Sequence, residues 1–507
     1  MKKMLLVLMV GLVGSALSGC AKDSGEPYYD YPYSNPNENV NGESYDEIVE
    51  APFIRTEDMQ VSTFSADVDT ASYSNVRRFL NDDEVPPVDS VRIEELVNYF
   101  NYDLTLPSDG EVFGITSEIH QAPWNSEHDL LMIGLKTEAI EFENTEGSNL
   151  VFLLDTSGSM GNSDKLPLLQ TAMILLVDQL RPQDRITIVT YAGSAGVVLD
   201  GADGTDKEEI IEKINSLYAS GSTNGANGIG LAYDKAMEYF IEGGVNRVIL
   251  GTDGDFNVGT SSVAALEELI EEKRESGVYF SVLGFGTGNL QDSKMEALAD
   301  SGNGVYYYID SVLEAKKVFV DELGGSLVTV AKDVKLQVEF NPMYVKAYRL
   351  IGYENRTLNY DDFNNNEVDA GDIGAGHEVI AYYEIIPQTS NEVVNELLFD
   401  EVPELKYDGS NYENEIMTLK INFKDPESNM DQSTSHIQTN SSSEMSDTFK
   451  FSSAVVEFGL LLRNSEYKGN SDFDTVISRA LTSLEDDVNG YRAEFIDLVI
   501  KAKDLME

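Results

Sequence analysis

Residues 151–161 read VFLLDTSGSMG, and this stretch indicates the architecture of the middle of the chain. Four apolar residues run directly into Asp155, and hydroxyls follow at Ser157 and Ser159. A short apolar run bounded by small polar residues is typical of a strand that is buried on both faces of a parallel sheet. The small residues favour a tight turn, while the carboxylate and the two hydroxyls are oxygens that hard cations prefer. Both interpretations, a turn and a site, stay open at this point.

Strand and helix patterns alternate from Asn149 to about Leu323. Five short apolar runs predict strands, and amphipathic helical patterns separate them; the runs are residues 150–154, 185–191, 245–251, 279–285 and 305–309. This alternation predicts an α/β fold with a doubly wound, mostly parallel, Rossmann-like sheet. In such sheets, ligands bind beyond the carboxyl ends of the strands. Asp155 lies at one of these ends.

Two other segments bring oxygen ligands to the same predicted edge. Residues 220–232, SGSTNGANGIGLA, enter a helix and contain Thr223, and residues 245–255, VNRVILGTDGD, end in Asp253 and Asp255. Carboxylate and hydroxyl oxygens suit Mg²⁺, Mn²⁺ or Ca²⁺, whereas zinc sites use His and Cys. The four histidines of the chain are scattered outside these segments.

The order of these residues resembles the metal-ion-dependent adhesion site of von Willebrand factor type A (VWA) domains. All five positions of that pattern are present, as Asp155-x-Ser157-x-Ser159 followed by Thr223 and then Asp253. The stretches VSTFSADVDTASYSNVRRFL, PVDSVRIEELVNYF and DAGDIGAGHEV resemble the flanking regions of a bacterial lipoprotein family that carries this domain centrally.

The resemblance implies a binding and adhesion protein without enzymatic activity. Mg²⁺ is the expected ion, with Mn²⁺ and Ca²⁺ as alternatives. The hydroxyls of Ser157, Ser159 and Thr223 would bind it directly, and Asp155 and Asp253 would bind it directly or through water. Because hydroxyls are neutral ligands, the ion keeps much of its charge and can accept a carboxylate from a protein partner.

The first twenty residues, MKKMLLVLMVGLVGSALSGC, have the layout of a secretory signal peptide. Lys2 and Lys3 precede an apolar run that is too short for a membrane span. The end of the segment, Leu17-Ser18-Gly19-Cys20, resembles the bacterial lipobox, in which the cysteine is lipidated and becomes the mature N-terminus. Cys20 is the only cysteine. We therefore expect an extracytoplasmic lipoprotein, at the cell surface or facing the periplasm, that is anchored to a membrane at Cys20.

Composition and periodicity, together with the resemblances to the lipobox and to the VWA domain, divide the chain into five predicted segments. They are a lipoprotein signal peptide (1–20), a disordered tether (21–57), a flanking region of helices and strands (58–148), the VWA domain (149–325), and a β-rich region ending in helices (326–507). In the last region, alternating apolar and polar residues predict the strands of a sandwich. Residues 427–446, rich in Ser, Asn and Gln, predict a loop or linker, and two helices are expected to close the chain.

The chain is strongly acidic. Asp and Glu total 89 against 35 Lys and Arg, which gives a net charge of -54. Such a surface repels nucleic acids and anionic lipids and attracts cations and basic partners. No nucleic acid partner is therefore expected.

Two further motifs have weaker interpretations. Residues 284–289, GFGTGN, look like a glycine-rich phosphate loop but lack the full spacing and a Walker lysine, so a structural turn is favoured. Residues 361–372, DDFNNNEVDAGD, could bind calcium. An EF-hand would need glycine at Glu367 and a carboxylate at Ile373, so an acidic loop is favoured.

Two rival functions stay open at the level of the sequence. A Mg²⁺-dependent phosphoester hydrolase would use Asp155 or Asp255 as nucleophile or base, because no lysine or histidine stands close to these motifs. A metal-independent envelope scaffold would instead contact its partners through the flanking sandwich and helices.

Overall fold

Three β-sheets organise the described part of the chain. The computed structural model describes residues 42–66, 69–140, 145–221, 226–254, 263–322, 328–399, 405–407, 412–426, 428–440, 444–484 and 487–507. The strands are β1 (Ile54–Arg55), β2 (Val61–Ser65), β3 (Phe113–Ala122), β4 (Asn125–Thr137), β5 (Ser148–Asp155), β6 (Arg185–Tyr191), β7 (Ala195–Asp203), β8 (Val245–Thr252), β9 (Tyr279–Phe285), β10 (Tyr306–Ile309), β11 (Thr329–Phe340), β12 (Val345–Ile351), β13 (Thr357–Leu358), β14 (Ile373–Gly374), β15 (Glu378–Pro387), β16 (Glu415–Lys424) and β17 (Asp431–Thr439).

Helices cover the central sheet and form a separate cluster beside it. They are α1 (Ala71–Asn81), α2 (Ile93–Asn98), α3 (Leu166–Gln179), α4 (Lys207–Asn215), α5 (Ala226–Glu238), α6 (Val263–Arg274), α7 (Asp292–Ser301), α8 (Val312–Lys316), α9 (Asp447–Leu462), α10 (Phe473–Leu481) and α11 (Tyr491–Met506). A π-helical turn, Lys317–Glu322, continues α8. Within the described ranges, no helix combines the length and apolar character that a membrane span requires.

The central sheet has the strand order β10-β9-β8-β5-β6-β7. Strands β5, β6, β8, β9 and β10 run parallel, and β7 pairs antiparallel with β6 at the edge. Side chains alternate across β5: Phe152 packs in one core with helix α3, and Leu153 packs in another with helix α5. The predicted doubly wound α/β sheet is confirmed. Strand β7 was not predicted, because it is partly exposed and contains Gly and Asp.

The segments before and after the central domain fold together into a β-sandwich. One sheet has the order β1-β12-β15-β4-β3, and the other has the order β13-β2-β11-β16-β17, with β14 paired to β11. Each sheet therefore combines strands from both flanks. Side chains of both sheets share one core, which includes Phe64, Leu131, Leu336, Tyr383 and Leu419. The predicted sandwich is confirmed, and it also uses strands from the N-terminal flank.

Two predictions for the C-terminal region are wrong. Residues 427–446 are not entirely a loop, because β17 lies within them and pairs antiparallel with β16. Its side chains are mostly polar and exposed, as an edge strand allows, so the apolar alternation that marks a buried strand is missing. Three helices rather than two close the chain, since α10 lies between α9 and α11.

The N-terminal predictions fall only partly within the described residues. Residues 1–41, which include the predicted signal peptide and Cys20, lie outside them. Part of the predicted tether makes defined contacts: Ile54 and Arg55 pair with β12, and Ser44 forms a parallel bridge with Gln291. The five proposed segment boundaries stay predictions.

A buried arginine joins the flanking helices to the central domain. Arg77 of α1 has a side chain that is 1% exposed, and its guanidinium donates to Asp310 at 2.8 Å and to Glu314 at 2.7 Å. The Tyr99 hydroxyl donates to the same Glu314 carboxylate at 2.8 Å. Removing one partner of a buried ion pair leaves the other charge uncompensated, which is costly.

Replacing Arg77 with methionine should therefore destabilise the whole described fold. We expect the free energy of unfolding, measured by urea denaturation, to fall by about 3–5 kcal/mol. The matched control is Arg185→Met, because Arg185 pairs with Asp203 at side-chain exposures of 38% and 50%. That exposed pair should contribute less than about 1 kcal/mol. Equal losses in the two variants would contradict the prediction.

Candidate metal centre

Two carboxylates lie at the carboxyl edge of the central sheet. Asp155 is the last residue of β5, and Asp253 follows the last residue of β8; both are fully buried. The two strands pair in parallel, with Leu154 opposite Gly251, so their ends lie side by side. Burial and, to a smaller extent, the charge of Asp253 raise the pKa of Asp155. The structure thus brings these two predicted site residues together.

The tight turn after β5 points two hydroxyls in the same direction. The Ser157 amide donates to Asp155 Oδ1 at 2.7 Å, and a 3₁₀ turn follows over Gly158–Gly161. The Oγ atoms of Ser157 and Ser159 are 2.9 Å apart. The turn itself groups the hydroxyl oxygens beside Asp155, so the two interpretations, a turn and a site, are compatible.

Thr223 and Asp255 lie outside the described residues, so their contribution stays a prediction. The chain leading towards Thr223 does lie beside the turn. The Ser220 amide donates to the Thr156 carbonyl at 2.7 Å, and the Gly158 amide donates to the Gly221 carbonyl at 3.1 Å. Gly221, which precedes Thr223 by two residues, therefore contacts the serine turn.

The environment of Asp155 fits a hard divalent cation. Burial raises its pKa from 3.8 to about 6, although hydrogen bonds from Ser157 and the Tyr191 hydroxyl act in the opposite direction. Oδ1 of Asp155 accepts from the Ser157 amide, and the other carboxylate oxygen, Oδ2, is buried. Together with the hydroxyls of Ser157 and Ser159, this oxygen is suited to Mg²⁺.

The described donor atoms of this candidate centre are oxygens. Among the described residues, no group of three or more His, Cys, Asp and Glu side chains is arranged to hold a metal ion. The centre instead combines two carboxylates with neutral hydroxyls. Such all-oxygen sets favour Mg²⁺, Mn²⁺ or Ca²⁺ over softer transition metals.

A lysine that the sequence analysis missed lies within this centre. Lys165 precedes α3 and is buried; its Nζ donates to Asp253 Oδ2 at 3.0 Å and to Asn289 Oδ1 at 2.8 Å. The expectation that no lysine stands close to the motifs is therefore wrong. The available signal was its position six residues after Ser159, at the start of a helix that begins beside the strand ends.

The glycine-rich loop after β9 packs around this lysine. Gly286 has φ +77°, and a Cβ added there would lie 2.3 Å from Lys165 Cγ. The loop therefore needs glycine at this position to admit the lysine side chain. The same loop carries Asn289, and the packing of Gly286 against Lys165 favours the structural interpretation of GFGTGN.

A short N-terminal segment, Gly42–Tyr45, holds this loop from outside. The Ser44 amide donates to the Leu290 carbonyl at 2.9 Å, and the Gly288 amide donates to Glu43 Oε1 at 2.9 Å. Glu43 is itself buried and pairs with Arg78 at 2.9 Å. The segment thereby fixes the loop that positions Asn289.

The acidic loop at residues 361–372 surrounds a lysine. Lys335 is buried, and its Nζ donates to the backbone carbonyls of Asp362 at 3.2 Å and Asn365 at 2.5 Å. The ammonium supplies to these carbonyls the positive charge that a calcium ion would otherwise bring. This contact favours the acidic-loop interpretation.

Comparisons with known proteins agree with this architecture. Residues 149–320 match the family described as "von Willebrand factor type A domain", residues 38–132 match "von Willebrand factor", and residues 325–505 match "Uncharacterized protein YfbK, C-terminal". "Uncharacterized protein YfbK" of Escherichia coli K12 is 42% identical over 462 residues, which cover 90% of this chain and 80% of that protein. The chain belongs to the YfbK family of VWA-domain proteins. The predicted membership in the VWA family is thus confirmed.

This YfbK-family chain is also similar to proteins at lower sequence identity. Mouse "Inter alpha-trypsin inhibitor, heavy chain 4" is 25% identical over 199 residues, which cover 37% of this chain but only 21% of that protein. Among solved structures, "von Willebrand factor type A from Catenulispora acidiphila" aligns with a TM-score of 0.43 at 14% identity, covering 78% of this chain and 91% of that one.

The raised pKa of Asp155 predicts a pH-dependent stability in the absence of divalent ions. Ionising this carboxyl costs free energy in the folded state. Its contribution to the free energy of unfolding is therefore fully present below the unfolded pKa of 3.8 and is lost as the pH rises through the folded pKa of about 6. The shift corresponds to about 3 kcal/mol. Asp155→Asn, which keeps an acceptor for the Ser157 amide, should therefore stabilise the chelator-treated protein by up to this amount at neutral pH.

Urea unfolding in EDTA at neutral pH and near pH 4 tests this expectation. The stabilising effect of Asp155→Asn should be large at neutral pH and small near pH 4. Asp206→Asn, at an exposed position of the same domain, is the matched control. A gain of the same size at both pH values would contradict the assignment.

Proposed function

We propose that this chain is a lipid-anchored, extracytoplasmic binding and adhesion protein. Its VWA domain holds a Mg²⁺-type ion and uses it to bind an acidic group on a partner protein. The observation that supports this most is the meeting of Asp155, Asp253 and the two serine hydroxyls at the carboxyl edge of the central sheet. Relatives named as inter-alpha-trypsin inhibitor heavy chains also favour protein binding over catalysis.

Each residue has a distinct part in the proposed centre. Ser157 and Ser159 bind the ion through their hydroxyls, with Thr223 as the third hydroxyl ligand, and Asp155 and Asp253 bind it directly or through water. The Ser157 amide fixes Asp155 Oδ1, and the buried Oδ2 is the oxygen that we assign to the ion. When bound, the ion supplies the positive charge that attracts the partner's carboxylate.

Replacing Asp155 with alanine should abolish divalent-ion binding and partner binding without unfolding the chain. Calorimetric titration with MgCl₂ measures the first, and a divalent-dependent cross-linking pull-down from intact cells measures the second. Asp206→Ala, exposed on the same domain, controls for the loss of one acidic charge. An unchanged Mg²⁺ affinity in Asp155→Ala would exclude the proposed centre.

The proposed anchor depends on Cys20. Because no other cysteine is present, Cys20→Ser removes the single site of lipidation. We expect the variant to lose incorporation of a labelled fatty acid and to move from the membrane fraction to the soluble extracytoplasmic fraction. Ser18→Ala is a matched small-residue change in the same segment and should leave both readouts intact. Membrane association of Cys20→Ser equal to wild type would disprove the anchor.

The sandwich favours a second candidate function, a metal-independent scaffold. Both flanks contribute strands to it, so a large surface outside the VWA domain is available for contacts. The same pull-down separates the two functions, because a scaffold keeps its partner in EDTA and in Asp155→Ala. The leading proposal assigns no catalytic activity, and Mg²⁺-dependent turnover of a panel of phosphoesters would contradict it.

A further inference from the structure

We propose that Lys165 is a resident counter-ion of the candidate metal centre. It neutralises Asp253 when no divalent ion is bound, and its charge weakens the binding of such an ion. The inference rests on the proposed function, because it concerns the same centre. It assigns to Lys165 a positioning role that the five-residue adhesion-site pattern does not contain.

The contacts of Lys165 support a fixed charge at this position. Lysine is rarely buried unless it is paired, and Lys165 is only 4% exposed. Its Nζ bonds two side-chain oxygens, Asp253 Oδ2 at 3.0 Å and Asn289 Oδ1 at 2.8 Å. The ammonium therefore lies between Asn289 and Asp253, and Asp253 is one of the two carboxylates of the candidate centre.

The surrounding backbone is built to hold the lysine there. Gly286 leaves room for its stem: a Cβ at that position would lie 2.3 Å from Lys165 Cγ and 2.4 Å from Cε. The loop between Gly286 and Asn289 is in turn held by the hydrogen bond from the Gly288 amide to Glu43. Two separate segments thus restrain the position of the ammonium beside Asp253.

The charge balance gives Lys165 two effects of opposite sign. Without a divalent ion, Lys165 offsets the charge of the buried Asp253, and an uncompensated buried carboxylate is costly. With a divalent ion present, the same ammonium adds a like charge close to it, and like charges repel strongly in a partly buried site. Removing Lys165 should therefore lower the stability of the metal-free protein but strengthen ion binding.

The test is Lys165→Met in the full chain, because methionine has a similar stem without the charge. In calorimetric titration with MgCl₂, we expect the variant to bind roughly five- to tenfold more tightly than wild type, the size expected for one nearby charge. In EDTA, we expect its Tm to fall by roughly 5–10 °C. If Lys165 had only a structural role, Lys165→Met would lower both the stability of the protein and its affinity for Mg²⁺.

Lys235→Met is the matched control. Lys235 lies on α5 of the same domain and pairs with Asp200 and Glu238, whose side chains are 51% and 55% exposed. Its loss changes the net charge by the same amount, and the Mg²⁺ affinity should stay within about twofold of wild type. A gain equal to that of Lys165→Met would mean a general charge effect and would overturn the inference.

Asn289→Ala provides a second variant in case Lys165→Met does not fold without metal. This variant keeps the charge of Lys165 but removes one of the two side-chain acceptors that hold the ammonium. The ammonium is then held less firmly near the ion, so Mg²⁺ should bind more tightly than in wild type and less tightly than in Lys165→Met. Unchanged or weaker binding in the variants that fold overturns the inference.

The outcomes separate this inference from the proposed function. If wild type binds Mg²⁺ and Lys165→Met does not bind it more tightly, only the counter-ion role fails. If neither binds Mg²⁺, the proposed function fails and the inference fails with it. Mg²⁺ binding by Lys165→Met but not by wild type supports both the proposed metal centre and the counter-ion role, because Lys165 is then the group that lowers the Mg²⁺ affinity.

Discussion

The parallel pairing of β5 with β8 is the constraint on which the candidate centre depends. Asp155 and Asp253 are almost 100 residues apart in sequence, yet they lie at the same sheet edge because the two strands run in one direction. With β8 reversed, the eight-residue length of β5 would separate the two carboxylates by about 25 Å. The site is therefore a property of the sheet, and the surrounding loops only refine it.

The same constraint explains why the central domain was predictable from the sequence. A strand buried on both faces carries apolar residues at consecutive positions, and residues 150–154 of β5 do so, with alternating contacts to α3 and α5. Runs of this kind, separated by amphipathic helices, have few alternatives to a parallel α/β sheet. The polar residues at the strand ends then follow directly, and Asp155 and Asp253 meet at one edge of the sheet because β5 and β8 run parallel.

What the sequence did not reveal is which distant segments pair. Strand β2 pairs with β11, more than 250 residues later, and no local pattern encodes that choice. Strand β17 carries polar side chains because it lies at an edge, so its periodicity resembled that of a linker. Lys165 was missed for a related reason: only the fold shows that a residue at the start of a helix reaches the end of a different strand.

The contacts of Gly42–Tyr45 also determine where a pulling force on the chain acts first. The central domain is inserted between the two halves of the sandwich, and Gly42–Tyr45 bonds to the loop that carries Asn289. Any tension on the chain ahead of Gly42 is therefore applied first to the hydrogen bonds of Glu43 and Ser44, next to the centre. A pull from the N-terminal side is transmitted to the loop beside Asp253 before it reaches the sandwich.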